Sequence, residues 1–400
     1  MSETQQPEGS FRRVWLLTLA HAAVDFYMLM PPPLYAVFKS HFRLSLFQTS
    51  FLPSFVSVCG AIAQPLMGYF SDGRNRLVLA GLGVLLCGVF ISSIGFAPTV
   101  YVLTASLVLA SLGSSLFHPT AGGLVTSFLP GRSNLTMAIF LTGGTFGMSI
   151  GPITATQIVE RFGIEQMWIC VFPGVIVFGL LYLTGRAQPP TETSGSGGLS
   201  LKALRGKEIR PLWTLYGISV LRSLTHTGFV SFIALIGASR GWPTAKIGWV
   251  LSGYLISSTL GRICGGYLAD RVSARGLLAF SNATSGACHI LFCFVAGGLT
   301  IPTFFLAGFL FDLGITTNIV LAQQIMPRNT STATGVVMGF SWGTAGLMMP
   351  LVGRLAEFAS LPIALAGVSM FMFPAALLVA ALPSGSDEGN RLKPPDVVKQ

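Results

Sequence analysis

The sequence predicts an all-α membrane protein, with twelve transmembrane helices in two pseudo-symmetric six-helix bundles. Three observations predict it. Only 10% of the 400 residues are charged, against about 25% in a soluble domain. Apolar stretches of about 20 residues, each long enough to cross a hydrocarbon core of ~30 Å as a helix, recur from near the N-terminus to Leu382, and mean hydropathy is +0.69. The second half of the chain repeats features of the first at a nearly constant offset. A strand-based barrel would instead show alternating segments of ~10 residues, and the sequence has none.

Polar and charged breaks set the elements in order. The first span, 14–38, follows a polar start with Arg12 and Arg13 and is read as a retained span, because no small-residue cleavage site follows it. Lys39 and Arg43 separate it from 48–70, and Arg74 and Arg76 separate that from 77–97. A short uncharged break leads to 100–128, Arg132 to 134–159, and Arg161 to 166–185. In the second half the spans are 210–238, 245–269, 275–297, 299–326, 331–356 and 361–382. Arg240 and Lys246, Arg271 and Arg275, then Arg328 mark the breaks that carry charge. Residues 186–209, with the flexible "TETSGSGGLS" and the basic "LKALRGKEIR", read as a cytoplasmic linker. The expected domains are therefore 1–185, the linker, and 210–400 with a short cytoplasmic tail.

Basic residues set the orientation. With the N-terminus inside, sixteen Lys and Arg lie on the inner side and six on the outer, while Arg222 and Arg262 lie within spans. Both termini are expected to be cytoplasmic, in a plasma membrane of the bacterial inner-membrane type. The net charge of +10 thus follows from topology and contact with membrane lipids, and nucleic acid is not an expected partner. Six cysteines (59, 87, 170, 264, 288 and 293) all fall in apolar spans without disulfide or metal spacing, and read as small buried hydrophobes. No nucleophile–base constellation, P-loop or metal-ligand spacing points to an enzyme, a cofactor or a metal.

The internal repeat is specific. "GYFSDGRNR" (68–76) matches "GYLADRVSAR" (266–275), so that Gly68 and Asp72 fall on Gly266 and Asp270 at an offset of 198. "GGTFGMSIGP" (143–152) matches "WGTAGLMMP" (342–350), and "FLPGR" (128–132) matches "IMPR" (325–328). Parallel six-span repeats are a transporter architecture with the site at their interface. Gly143, Gly147 and Gly151, ending at Pro152, form a stripe of close approach on one helix face. Gly335, Gly339 and Gly343, before Pro350, repeat it, and a close helix pair is expected within each half.

Twelve spans, a central linker, and G-x-x-x-D followed by basic residues after spans two and eight resemble the major facilitator superfamily. The glycine-rich fifth span ending in "GP" is similar to that superfamily's antiporter-type motif. "HAAVD" (21–25), "LFHPT" (116–120) and "GGTFGMSIGP" together resemble its fosmidomycin resistance protein group. The loop motif implies a conformational latch of Gly68, Asp72, Arg74 and Arg76, with Gly266, Asp270, Arg271 and Arg275 in the second half. Gly73 departs from the pattern, where a basic residue usually follows the acid; Arg74 and Arg76 can cover that role.

Few charges are embedded, and a charge at mid-bilayer costs at least about 2.5–3.5 kcal/mol. Asp25 lies about 17 Å into span 1, one turn from His21 on the same face. Arg222 and His226 fall on His21 and Asp25 at an offset of 201. His118, Asp312, Arg262 and His289 complete the set. Six of these residues lie on spans 1, 4, 7 and 10, which the resemblance places around a central cavity, with span 8 and Arg262 on its border. His289 reads as an interhelical hydrogen bond, an Asp25–Arg222 ion pair between the halves is the structural alternative, and Arg262 is either a site residue or a tie to the nearby loop. The second half has no counterpart of His118–Pro119. A proton-binding ring beside a helix-disturbing proline suits a gate or proton relay, the alternative being a packed histidine.

The expected function is a proton-coupled secondary transporter working by alternating access. Arg222 and Arg262 are expected to hold an anionic group on a small-molecule substrate, since guanidinium suits carboxylate or phosphonate. His118 and His226 are expected to contact it, with Phe26, Tyr27 and Phe117 as apolar wall. Asp25 and Asp312 are the expected proton carriers, with His21 and His118 as relays. The resemblance implies a monomer that exports a drug-like or organic-anion compound in exchange for protons. Two alternatives stay open: a proton-linked monocarboxylate or organic-anion importer, and a transport-inactive receptor or scaffold.

Overall fold

The computed structural model describes residues 7–71, 74–125, 127–128, 133–186, 209–269, 271–326 and 333–382. Asp72, Gly73, Asp270, Arg132, Arg328, the linker residues 187–208 and the tail from 383 lie outside the described residues. Every described element is a helix or a helical turn, and twelve spans follow in the expected order. Span 1 (Pro7–Met28, continued by Tyr35–His41) breaks at Pro31, Pro32 and Pro33, which lack backbone donors, and passes through a short 3₁₀ turn, Pro32–Leu34. Span 2 is Leu46–Ser71, span 3 Arg76–Ser92, span 4 Val100–Val125, span 5 Ser133–Phe162 and span 6 Val171–Arg186. Asn75 caps span 3 by accepting from Val78 N–H at 3.2 Å.

In the second half, span 7 is Arg210–Ser239, span 8 Thr244–Ala269 and span 9 Ala274–Phe294. Span 10 is split at Leu313 and Gly314 into Thr300–Asp312 and Ile315–Ile325. Span 11 opens with a π-helical stretch, Gly335–Phe340, before Ser341–Phe358. Span 12 runs Leu361–Met370 and Met372–Leu378. Among the described residues eleven helical segments are long and apolar enough to cross a membrane. The twelfth, Thr244–Ala269, has the length but carries Lys246, Arg262, Ser252, Ser257, Ser258 and Thr259.

The first glycine stripe packs span 5 directly on span 1: a Cβ on Gly143, Gly147 or Gly151 would strike the carbonyls of Thr18, Ala22 and Phe26 in turn. The second stripe does not make the matching pair within its own half. It turns span 11 toward span 2 of the other half, where a Cβ on Gly343 would stand 2.6 Å from Ala61 Cβ. The expectation of a close pair in each half therefore holds only for the first. Span 11 still meets span 7, through Tyr216 Oη and Thr344 Oγ1 at 2.8 Å, but its small residues Gly343 and Gly346 face Ala61 and Ser57 of span 2 across the interface.

The two halves meet at the end of the bundle where span 1 finishes and span 2 begins. There Phe47 N–H donates to Glu357 Oε1 at 2.9 Å, and Ala245 N–H donates to Glu160 Oε2. Packing of span 2 on span 11 thins toward the other end: a Cβ on Gly339 would be 4.0 Å from Gln64 Oε1, and one on Gly335 would meet nothing within 4 Å. One buried core takes in residues of both halves, from Val14 and Tyr27 to Leu361 and Val368. A smaller core around Leu212, Leu278, Val336 and Val379 belongs to the second half alone.

Candidate functional site

Among the described residues, two charged clusters lie inside the bundle, one in each half. In the first, the i, i+4 spacing puts His21 and Asp25 on one face of span 1, both 4% exposed. His21 Nε2 lies 3.3 Å from Asp25 Oδ2. His118 reaches over from span 4, its Nε2 3.3 Å from Asp25 Oδ1. The two imidazole rings meet edge to face at 5.2 Å. His21 also stacks on Phe140 at 4.1 Å, with Phe117 at 5.8 Å.

The second nitrogen of each ring fixes the proton pattern. His21 Nδ1 lies 2.8 Å from the Phe140 carbonyl of span 5, and His118 Nδ1 lies 2.9 Å from the Ser114 carbonyl one turn back. A carbonyl only accepts, so both Nδ1 atoms carry the hydrogen, an assignment made from the partners. Each Nε2 is thereby left to face the carboxylate. A bare Nε2 lone pair would repel the carboxylate, so the two Nε2–Asp25 contacts are attractive only with a positive charge between them.

Gly144 lies within "GGTFGMSIGP" but off the Gly143, Gly147, Gly151 stripe, so no local signal marks it. A Cβ there would stand 2.6 Å from Asp25 Oδ2 and from His21 Nε2, so span 5 can approach only as glycine. Span 4 runs unbroken through Pro119, whose Cβ faces Gly68 of span 2, where a Cβ would be 3.5 Å away.

In the second half Arg262 of span 8 pairs with Asp312 of span 10 at 2.7 Å. The guanidinium side chain is 47% exposed and the carboxylate side chain 6%. His226 lies against Phe311 at 5.5 Å, Trp342 at 5.4 Å and Tyr254 at 6.1 Å. Arg222 is 1% exposed. It donates to Asn282 Oδ1 of span 9 and to the Phe311 carbonyl, with its guanidinium 4.5 Å over the Phe311 ring. The Asp25–Arg222 pair between the halves is thus not formed, because each group has partners inside its own half. Asn282, a polar residue in the middle of span 9, was the available signal for this. His289 makes the expected interhelical bond, to Tyr254 Oη at 3.3 Å.

The remaining expected residues fall around these clusters. Tyr27 is fully buried; its Oη donates to the Cys170 carbonyl at 2.6 Å and accepts from Gly174 N–H at 2.8 Å, tying span 1 to span 6. Phe117 is fully buried beside His21, and Phe26 is half-buried with its carbonyl under Gly151. Among the loop-motif residues described, Arg74 donates to the Phe70 carbonyl. Arg76 is buried, with its guanidinium beside Gly123. Arg271 lies 3.5 Å over the Tyr267 ring. Arg275 donates to the Ala380 carbonyl at 3.1 Å, and Gly266 faces open space.

The profile of the Major Facilitator Superfamily matches residues 15–338 and again 215–397, which together cover both halves. The chain belongs to the Major Facilitator Superfamily. It is 21% identical over 373 residues to the fosmidomycin resistance protein of Escherichia coli (strain K12), covering 90% of each chain. It is 22% identical over 389 residues to the uncharacterized MFS-type transporter YfnC of Bacillus subtilis (strain 168), covering 92% of each. Among solved structures it is similar to a bacterial homolog of the human lysosomal transporter Spinster in an inward-facing and occupied conformation. There the TM-score is 0.77 at 14% identity, over 94% of this chain and 97% of that one. A POT family transporter in complex with a thioalcohol-conjugated peptide gives 0.76 at 12%, over 94% and 96%. The fold is that of this superfamily, and the chain is a multi-pass membrane protein of a transporter family.

Proposed function

We propose that this superfamily member is a proton-coupled secondary transporter that exports a small drug-like or organic-anion compound in exchange for protons. The observation that carries the reading is a pair of buried carboxylates, Asp25 and Asp312, one in each half. Each touches a basic side chain that remains partly exposed, His118 at 31% and Arg262 at 47%. A carboxylate so placed changes its hold on its partner when it takes a proton. Arg262 offers its exposed guanidinium to an anionic group. His226, Phe311 and Trp342 supply ring faces, and Arg222 adds positive charge from behind Phe311. Both termini lie on the cytoplasmic side of a bacterial inner membrane in this reading, as a monomer. The resistance proteins among its relatives support export.

A second reading, proton-linked import of an organic anion, has one observation in its favour. Protonating Asp312 would release Arg262 for the anion, so proton and anion would bind together. Proteoliposomes with an imposed pH gradient separate the two readings. Exchange moves substrate against the proton flux, and linked import moves it with the flux. Asp25→Asn and Asp312→Asn are then compared in gradient-driven transport and in substrate counterflow. Gradient-driven transport is expected to fail in at least one variant while counterflow survives. Normal pumping by both would remove the proton role from these carboxylates.

A further inference from the structure

We infer that His21, Asp25 and His118 form a binding site for one divalent transition-metal cation of the zinc class. One ligand atom from each residue lies within 4.8 Å of the other two. Two imidazoles and a carboxylate are a donor set suited to such ions, with a coordination position left open.

Three features make this more than a chance cluster. Both rings donate Nδ1–H to backbone carbonyls, Phe140 at 2.8 Å and Ser114 at 2.9 Å. That is the outer-shell arrangement that fixes a metal-binding histidine with Nε2 toward the ion. The two nitrogen–oxygen separations are 3.3 Å. They run to different oxygens, Oδ2 for His21 and Oδ1 for His118, so the carboxylate stands between the two rings, and both are longer than a charge-assisted hydrogen bond of about 2.7–2.9 Å. Gly144 keeps the space beside Asp25 and His21 free of a side chain. His21 and Asp25 are buried, while the His118 side chain, 31% exposed, opens an entry path.

The inference stands without the transport reading, since it needs only these three side chains in place. The test uses the full chain purified in detergent, stripped with a chelator and titrated with Zn²⁺, with Mg²⁺ as control. We expect one saturable Zn²⁺ per chain, no comparable Mg²⁺ binding, and at least a tenfold loss of Zn²⁺ affinity in His118→Gln. Co²⁺ as a visible probe should give d–d absorption that disappears in the same variant. Gel filtration checks folding; His118 is the most exposed of the three, so its variant carries the test if His21→Gln or Asp25→Asn does not fold. No saturable Zn²⁺ binding, or equal affinity in wild type and His118→Gln, overturns the site. A chain that pumps protons yet binds no Zn²⁺ would sink this inference alone, and the reverse result would sink only the coupling.

Discussion

Gly147→Ala tests how closely spans 1 and 5 must approach for the first cluster to exist. A Cβ at Gly147 would stand 2.8 Å from the Ala22 carbonyl carbon and 2.9 Å from its Cα. Ordinary carbon contacts lie at about 3.5–4.0 Å, so these two alone require the backbones to separate by roughly 0.8 Å, and overlap of the Cβ with the Ala22 carbonyl oxygen requires more. No rotamer change can relieve this, because both sides are main chain. Overpacking of that kind costs about 3 kcal/mol at the upper end. The His21–Phe140 hydrogen bond, 2.8 Å long across the same contact, would stretch past useful length and forfeit about 1 kcal/mol. Alanine returns about 1 kcal/mol of helix propensity. The net is a destabilisation of about 3 kcal/mol, on the order of a hundredfold in the folded ratio. Gly217→Ala is the internal control. It lies in span 7 with nothing within 4 Å of its Cβ position, so it should gain about 0.5–1 kcal/mol. Unfolding of each variant in mixed micelles with rising SDS, followed by tryptophan fluorescence, gives both values. If Gly147→Ala is as stable as Gly217→Ala, spans 1 and 5 are not held at backbone contact, and the geometry argued for His21 falls with that contact.

Other substitutions separate structural roles from substrate contact. Tyr27→Phe removes the donor to the Cys170 carbonyl and the acceptor for Gly174 N–H, and should lower thermal stability by about 1–3 kcal/mol per orphaned group while transport of the folded protein stays near wild type. Arg222→Met leaves Asn282 Oδ1 without that donor, whereas the Phe311 carbonyl keeps Ser281 Oγ at 3.1 Å; gel filtration and melting should show a loss of about 1–3 kcal/mol. Arg262→Gln should fold normally, since its side chain is 47% exposed, and lose at least tenfold in affinity for anionic ligands. A larger affinity loss in folded Arg222→Met than in Arg262→Gln would reverse the roles given to the two arginines.

The sequence by itself determined the class, the span order and the repeat. Hydrocarbon thickness sets span length, and the absence of water forces the backbone into helices, so these properties are written in local composition. It also placed the embedded ionisable residues on spans 1, 4, 7, 8 and 10, with His289 on span 9, because a buried charge is too costly to occur without a reason. What it could not determine was which charge touches which. His21 and Asp25 are one turn apart and readable as a pair, but His118 joins them from 93 residues away, and Gly144 makes room from a third helix. Arg222 and Arg262 are both single arginines in apolar runs. Only the packing of spans 8, 9 and 10 spends the first on Asn282 and a carbonyl and leaves the second open beside Asp312. The glycine stripes teach the same lesson: with identical spacing, all three glycines of the first stripe press on span 1 of the same half, whereas in the second Gly343 alone presses on span 2 of the other half. Spacing shows that a helix can be approached closely, and the neighbour is chosen by the whole bundle, through contacts that no local stretch of chain encodes.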